Sequence, residues 1–138
     1  MAKELVRSNL EDFLSGKKEN IKNYLGKPIL IKFWATWCPV CKAVLPEVEA
    51  FAKSANGKYH VISILTQEKQ ELDQFFNVVT KPTFPLLLDP DGAVSGSYSV
   101  PALPTFVILD KSGVVQHVTV GVGRYFKEAS DNVLNMSK

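Results

Sequence analysis

Five short runs of the chain are rich in apolar residues, and the segments between them carry apolar residues three or four positions apart. A nearly continuous apolar run bounded by turn residues is typical of a strand buried on both faces of a parallel or mixed sheet. The last two runs flank a turn at residues 110–113, which predicts a hairpin. The predicted strands are residues 29–34, 59–65, 84–88, 105–109 and 114–120.

Helical spacing predicts three helices. The first should begin at Pro39, end near residues 56–57, and bend at Pro46, which removes one backbone hydrogen bond. Its predicted core-facing residues are Val40, Val44, Val48 and Phe51. The second helix is predicted at residues 68–77, with Leu72, Phe75 and Phe76 on its apolar side. The third is predicted at about residues 125–135.

The first 28 residues are polar and only weakly periodic. Leu10, Phe13 and Leu14 stand at helical spacing, and residues 20–25 predict a short helical turn. After this segment, strands alternate with helices, and the chain ends in a hairpin and a helix. That order predicts one domain of 138 residues: a three-layer α/β sandwich with a mixed central sheet and helices on both faces.

The composition is that of an ordinary folded domain, with 46% apolar and 22% charged residues. The net charge is +2, and the basic residues are dispersed along the chain, which argues against a nucleic-acid or membrane surface. No apolar stretch is long enough to span a membrane. Residues 1–4 lead into mixed polar sequence without the apolar centre of a signal peptide, which leaves open an export signal or anchor upstream.

The chain has two cysteines, Cys38 and Cys41, placed where a predicted strand gives way to a predicted helix. Both sulfurs should lie near the first helical turn, at a spacing that allows a reversible disulfide. Unpaired N–H groups and the positive end of the helix dipole stabilise a thiolate there. Cys38 should be the exposed attacking thiolate, and Cys41, one turn further in, should be buried and resolve the mixed disulfide. No cofactor beyond this redox-active pair is expected.

A C-x-x-C pair also serves zinc and copper sites, so a metal-handling module is an alternative. A structural zinc site needs two further ligands. The two histidines, His60 and His117, each stand alone in a predicted strand and at no ligand spacing. We therefore predict no metal ligands. Tight, stoichiometric Cu(I) or Zn(II) binding without disulfide-reductase activity would support the alternative.

Residues 33–42, FWATWCPVCK, with Leu45 and Pro46 behind them, resemble the thioredoxin superfamily. More narrowly, they are similar to the TlpA/ResA/CcmG-type extracytoplasmic thiol–disulfide oxidoreductases, in which FWATWC followed by P-x-C is common. The likeness runs from about residue 26 to the end of the chain. It implies a thioredoxin-like domain with a central insertion at about residues 66–84.

The resemblance also implies a substrate-binding surface around the cysteines. Leu103 and Pro104, just before a predicted strand, match the family's cis-proline element. This implies a cis bond that faces the disulfide, with the Leu103 backbone offering strand-like hydrogen bonds to a bound client. Trp37 is expected to cover the disulfide and, with Pro39, Pro101 and Leu103, to form an apolar docking surface. The predicted substrate-binding residues are Trp37, Pro39, Val40, Leu103 and Pro104.

Two charged residues bear on proton transfer. Glu68 stands where ResA- and CcmG-like proteins carry an acidic residue near the cysteines, which implies a carboxylate that exchanges protons with the buried thiol if burial raises its pKa. The alternative is a glutamate that only favours the helix dipole. Lys32 occupies the position, six residues before the first cysteine, where thioredoxin has an aspartate. We expect the Lys32 ammonium to reach water. Because position 32 is not an aspartate, the usual proton acceptor of thioredoxin is missing, which makes Glu68 the stronger candidate for that role.

Together these observations predict an enzyme, a thiol–disulfide oxidoreductase that reduces protein disulfides. Val40 offers the thiolate neither charge nor a hydrogen bond, so we expect a potential nearer the roughly −270 mV of thioredoxin than the roughly −120 mV of DsbA. The expected partners are a disulfide-containing client protein and a membrane or thioredoxin-type electron donor, with no nucleic acid. The protein is expected to be a monomer, periplasmic or otherwise extracytoplasmic, and exported or membrane-anchored.

Some family members act in cytochrome c maturation. The loop at residues 100–103 lacks the glycine often found in those members, which argues against an apocytochrome client. Two other interpretations stay open: a thioredoxin-fold interaction protein with a purely structural disulfide, and a general cytosolic thioredoxin. Against the second stand Lys32, the Pro39-Val40 dipeptide and the segment at residues 66–84.

Overall fold

Seven strands form a single mixed sheet in the computed structural model, which describes residues 9–121 and 123–138. The strands are β1 (Asn9–Asp12), β2 (Lys18–Asn20), β3 (Ile29–Trp34), β4 (His60–Leu65), β5 (Leu86–Leu88), β6 (Thr105–Leu109) and β7 (Val115–Val120). The helices are α1 (Pro39–Lys53), α2 (Lys69–Phe75), α3 (Ala93–Ser97) and α4 (Arg124–Met136), with a 3-10 turn at Ile21–Tyr24. The predicted α/β sandwich is confirmed.

Strand β3 lies in the interior of the sheet, whose strand order is β2-β1-β5-β4-β3-β6-β7. It pairs in parallel with β4 and antiparallel with β6. All six of its residues are buried, because helices or turns cover both faces of the sheet at this strand. The carboxyl end of β3 leads directly to the cysteine pair and α1. The candidate site therefore follows a strand that is paired on both sides and completely buried.

Alternate residues of β3 belong to two different apolar clusters, as the period of a strand requires. Leu30 and Trp34 pack in the cluster that includes residues of α1, α2 and α4. Ile29, Ile31 and Phe33 pack in the cluster on the opposite face, which includes residues of α3 and of the 3-10 turn. Lys32 therefore shares its face with Leu30 and Trp34, beneath α1.

Helix α1 confirms most of the predicted helix. Val44 and Val48 are buried and Phe51 is half-buried against the core. Val40 is exposed, so its predicted place in the core is wrong, because the first turn of the helix carries it out to solvent at the cysteine motif. The helix ends at Lys53, a few residues earlier than predicted, and Pro46 lies inside it.

The amino-terminal segment contradicts the predicted helical spacing. Asn9–Asp12 is a strand that pairs antiparallel with β2 and with β5. Leu10 and Phe13 are three positions apart and both buried, but they pack on opposite faces of the sheet. Leu14 is exposed. Because both faces are covered here, apolar residues separated by an odd number of positions suit a strand as well as a helix.

The remaining elements agree with the sequence apart from α3. The hairpin of β6 and β7, the 3-10 turn and helix α4 are confirmed, and the strand predicted at residues 84–88 is shorter. Helix α3 was not predicted because Ser and Gly are weak helix formers; the buried Asp89 carboxylate organises it by accepting the N–H groups of Val94 and Ser95 at 3.1 Å.

Among the described residues, no helix is long and apolar enough to cross a membrane. The polar start at residues 1–4 lies outside the described residues.

Candidate active site

Cys38 is the residue that caps the amino terminus of α1. Its Sγ accepts the backbone N–H of Cys41 at 3.3 Å, and both cysteines are free thiols. Pro39 follows at the first helical position, where a missing N–H costs nothing. A backbone N–H and the positive end of a helix both stabilise an anionic sulfur more than a neutral one. The local structure therefore suits a thiolate at Cys38.

The two thiols differ in accessibility in the predicted order, although less than predicted. Cys41 has no exposed surface, and Cys38 retains 6% of its own. The expectation of a well-exposed Cys38 is thus corrected. The reason is that Cys38 itself belongs to the large apolar cluster, against which Leu103 packs. Only the thiol that should attack is open to solvent at all.

Burial raises the pKa of the Cys41 thiol to about 12, and a hydrogen bond with Cys38 adds to the rise. A backbone hydrogen bond from Ala35 and the positive charge of Lys32 act in the opposite direction. At neutral pH, a thiol with this pKa is almost entirely protonated. Any reaction in which Cys41 attacks as a thiolate therefore depends on groups that stabilise its charge.

The expectation that Lys32 reaches water is wrong, because its side chain is completely buried. Its Nζ donates a hydrogen bond to the Cys41 carbonyl oxygen at 3.1 Å and lies 4.4 Å from the centre of the Trp34 ring. Burial lowers the pKa of Lys32 to about 7, and the nearby thiols of Cys41 and Cys38 limit that fall. The alternation of side chains along a strand could have indicated this burial, since Lys32 lies on the same face of β3 as Leu30 and Trp34.

Glu68 is exposed, just before the first residue of α2. Its backbone N–H donates to Glu71 Oε1 at 3.1 Å, and Glu68 lines an open cavity with residues such as Asn9, Glu11 and Lys18. The burial on which the expected proton exchange depended is therefore absent at Glu68. Its part in proton transfer stays a prediction.

The neighbouring Gln67, which the sequence analysis missed, is the buried polar residue of this segment. Its Oε1 accepts the Thr36 N–H at 2.9 Å, and its Nε2 donates to Thr36 Oγ1 at 2.8 Å and to Glu71 Oε2 at 3.0 Å. These bonds fasten the loop before the cysteines to the start of α2. Sequence pattern offered no signal for it, because a glutamine after a strand is ordinarily exposed.

Three of the five predicted substrate-binding residues flank Cys38 in the chain, and the other two directly precede β6. Trp37 is 70% exposed, which contradicts the expectation that it packs over the thiols, whereas Trp34 is buried in the core. Pro39 and Val40 are exposed as well. The Leu103–Pro104 bond is cis, as the resemblance implied, with Pro104 buried and Leu103 half-buried. Whether these residues bind a substrate stays a prediction.

The two histidines lie away from the cysteines. His60 begins β4 and pairs with Ile29, at the opposite end of β3 from Cys38, and its ring packs edge-on to Tyr24 at 5.3 Å. His117 is exposed on β7. Within residues 9–121 and 123–138, no group of three or more His, Cys, Asp or Glu side chains is arranged to hold a metal ion.

A mixed sheet whose interior strand leads to a C-x-x-C pair at a helix amino terminus defines a thioredoxin-fold protein with a dithiol site. The chain belongs to the Redoxin family, whose profile matches residues 7–133.

Named relatives agree with this family. The thioredoxin-like protein YneN of Bacillus subtilis strain 168 is 37% identical over 111 residues, covering 78% of this chain and 65% of that protein. A thiol-disulfide oxidoreductase ResA of Bacillus cereus is 31% identical over 109 residues, covering 78% of this chain and 63% of that protein. The chain thus spans less than two thirds of the length of either relative.

Among solved structures, the exposed lipoprotein thioredoxin Etrx1 of Streptococcus pneumoniae strain TIGR4 superposes with a TM-score of 0.82. It is 26% identical, and the match covers 92% of this chain and 99% of that one. The shared fold therefore extends over nearly the whole of both chains.

Proposed function

We propose that this chain is a thiol–disulfide oxidoreductase that reduces protein disulfides through Cys38 and Cys41. The observation that carries the proposal is the cap of α1, where Cys38 Sγ accepts the Cys41 N–H while Cys41 is sealed from solvent. In this mechanism the Cys38 thiolate attacks a client disulfide, and one client sulfur leaves as a thiolate. Cys41 then attacks Cys38 Sγ, which releases the second client thiolate and leaves the Cys38–Cys41 disulfide.

The proposed client surface consists of Trp37, Pro39, Val40, Leu103 and Pro104. Trp37, Pro39 and Val40 are exposed apolar side chains next to Cys38, and such exposure is typical of a protein-binding patch. Leu103 packs against the cluster that contains Cys38. An extended client segment that lies along Leu103 would bring its disulfide to the 6% of Cys38 that is open.

The proposed setting is extracytoplasmic, with the chain exported or membrane-anchored as a monomer. Its structural neighbour from S. pneumoniae is named as an exposed lipoprotein, which supports this setting. The oxidised pair would be reduced again by a membrane or thioredoxin-type donor, without a further cofactor. We also keep the proposal of one thioredoxin-like domain with a central insertion at about residues 66–84, which includes α2.

Reduction of insulin by dithiothreitol, followed as turbidity, tests the activity. We expect the wild type to accelerate the reaction, Cys38→Ser to abolish the acceleration, and Cys41→Ser to accumulate a covalent complex with the client. The reaction with dithiothreitol alone is the control. Acceleration by Cys38→Ser equal to that of the wild type would refute the proposal, and equilibration with glutathione would give the direction of the reaction.

A further inference from the structure

The resolving step makes a demand that the dithiol alone does not meet. Cys41 must lose its proton before it can attack the mixed disulfide, yet it is completely buried, and burial disfavours its charged form. A buried charge becomes tolerable when an opposite charge is fixed close to it. The described residues offer one fixed cationic group beneath this thiol, the side chain of Lys32.

Lys32 is completely buried, and within the described part of the chain its charge has no carboxylate partner. The ion pair found among residues 9–121 and 123–138 joins Lys127 and Asp131, on the exposed side of α4. The Lys32 ammonium instead donates to the Cys41 carbonyl and lies near the face of Trp34. Neutral partners of this kind only partly replace water, so the site is suited to an anion that forms transiently.

The structure sets an upper limit on the distance between Lys32 Nζ and Cys41 Sγ, where the anion would form. Lys32 Nζ is 3.1 Å from the Cys41 carbonyl oxygen, and the oxygen and Sγ belong to the same residue. Covalent dimensions then place Nζ within about 8 Å of Sγ. The titratable groups that act on Lys32 are the thiols of Cys41, in the first turn of α1, and of Cys38, the residue that caps this helix. The flanking strands pair Ser63 and Phe106 with Lys32, and neither is charged.

We propose that Lys32 is a positioning residue for the resolving thiol: its buried ammonium holds the Cys41 carbonyl and stabilises the Cys41 thiolate while the mixed disulfide is resolved. The Cys41 proton passes to solvent, and Lys32 keeps its own. The thiolate forms the Cys38–Cys41 bond, the bond from Cys38 to the client sulfur breaks, and the client leaves as a thiolate that solvent protonates. This inference rests on the proposed function, since it concerns a step of that reaction.

The size of the effect follows from the distance. At about 8 Å and an effective dielectric constant of about 20, one charge changes the thiolate population by about 30-fold. A thiolate of lower pKa is also a weaker nucleophile, so the logarithm of the rate increases by only about half as much as the logarithm of the thiolate population. Replacement of Lys32 by methionine should therefore slow resolution about fivefold wherever Lys32 is charged.

The pH dependence separates this role from a merely structural one. Lys32 is charged below about pH 7 and loses its proton above it. The ratio of wild-type to Lys32→Met rates should be about fivefold below about pH 7 and should approach one above about pH 9. A structural defect would slow the variant by the same factor at every pH. The wild-type rate should itself flatten just above neutrality, which can be observed without any variant.

Stopped-flow reduction of dithionitrobenzoate by the full-length dithiol protein measures these rates. Each step releases one coloured thiolate, the first by Cys38 and the second by Cys41. Lys42→Met is the matched control, because Lys42 is next to Cys41 but exposed, and its ratio should be one throughout.

The outcomes distinguish the two proposals. A ratio that does not change with pH, or a wild-type rate that rises without flattening, would overturn the role of Lys32 alone. Absence of the second phase in the wild type would overturn the proposed function itself.

Discussion

Two polar regions border the dithiol, and they differ in what surrounds them. The floor is Lys32 on β3, completely buried under Cys41, with its charge facing a carbonyl and an aromatic ring. The flank is the start of α2, where Gln67 is buried in a closed set of hydrogen bonds and Glu68 is exposed. The floor holds an incompletely compensated charge, whereas the flank holds the hydrogen-bonded set of Gln67, Thr36 and Glu71 and the exposed carboxylate of Glu68.

The difference indicates a division of roles. A buried charge without a counter-ion costs stability and is retained where it does something else, whereas a satisfied polar network orders the chain. We therefore expect substitutions in the floor to change the response to pH. Substitutions at Gln67 should change the order of the loop, and those at Glu68 should change little.

The largest expected effect is on how stability depends on pH in the floor. The pKa of Lys32 is about 7 in the folded chain, compared with roughly 10.4 when unfolded. Between these values the unfolded chain binds a proton that the folded chain does not, so stability rises with pH. Between about pH 7 and about pH 9.5, the free energy of unfolding of the wild type should rise by about 3 kcal/mol relative to Lys32→Met.

Denaturant unfolding of the reduced proteins measures this difference. Because the pKa of Cys41 is raised in the folded chain, this thiol makes the free energy of unfolding fall as the pH rises above the pKa of an unfolded cysteine. The contribution cancels when the two proteins are compared, because both contain Cys41. Lys42→Met should follow the wild type. Parallel curves for wild type and Lys32→Met would show that the floor carries no titrating charge in this range.

The next effect concerns the hydrogen bonds between Gln67 and Thr36, which fasten the loop before the cysteines. Gln67→Ala removes the acceptor of the Thr36 N–H and the donor to Thr36 Oγ1. We expect the free energy of unfolding to fall by about 1–3 kcal/mol, because a half-buried backbone donor loses its partner. Hydrogen exchange at the Thr36 amide should accelerate. Gln70→Ala, on the exposed side of α2, is the control and should change neither quantity.

The smallest expected effect is at Glu68. Because its carboxylate is exposed, Glu68→Gln should leave the pH profile of the resolving step within about twofold of the wild type. The stopped-flow experiment that tests Lys32 measures it. A pH profile of the resolving step that is shifted in Glu68→Gln would assign proton transfer to Glu68. It would then be wrong that only Lys32 influences how this step depends on pH.

The sequence was informative where one physical rule dominated. The apolar run of β3, the proline after Cys38 and the cysteine spacing each pointed to a single local structure, and the sheet and α1 followed. It was misleading where two rules competed. Leu10 and Phe13 suited a helix by spacing, but a sheet covered on both faces buried them as a strand.

Within the site, the same limit applies. Lysine side chains ordinarily reach water, and only the strand period placed Lys32 beneath α1. The hydrogen bonds of Gln67 to Thr36 join residues 31 positions apart, which no local pattern reports. The dithiol and the cis bond could thus be predicted, whereas the groups that surround Cys41 required the tertiary structure.

The recessed sulfur of Cys38 has a consequence for which disulfides can react. A broad, rigid protein face cannot bring its own sulfur atoms down to a thiol that shows 6% of its surface. A protruding loop or an unfolded stretch can. Under the proposed function, this recess would favour clients that present a disulfide on a protruding loop or an unfolded stretch over proteins whose disulfides are buried.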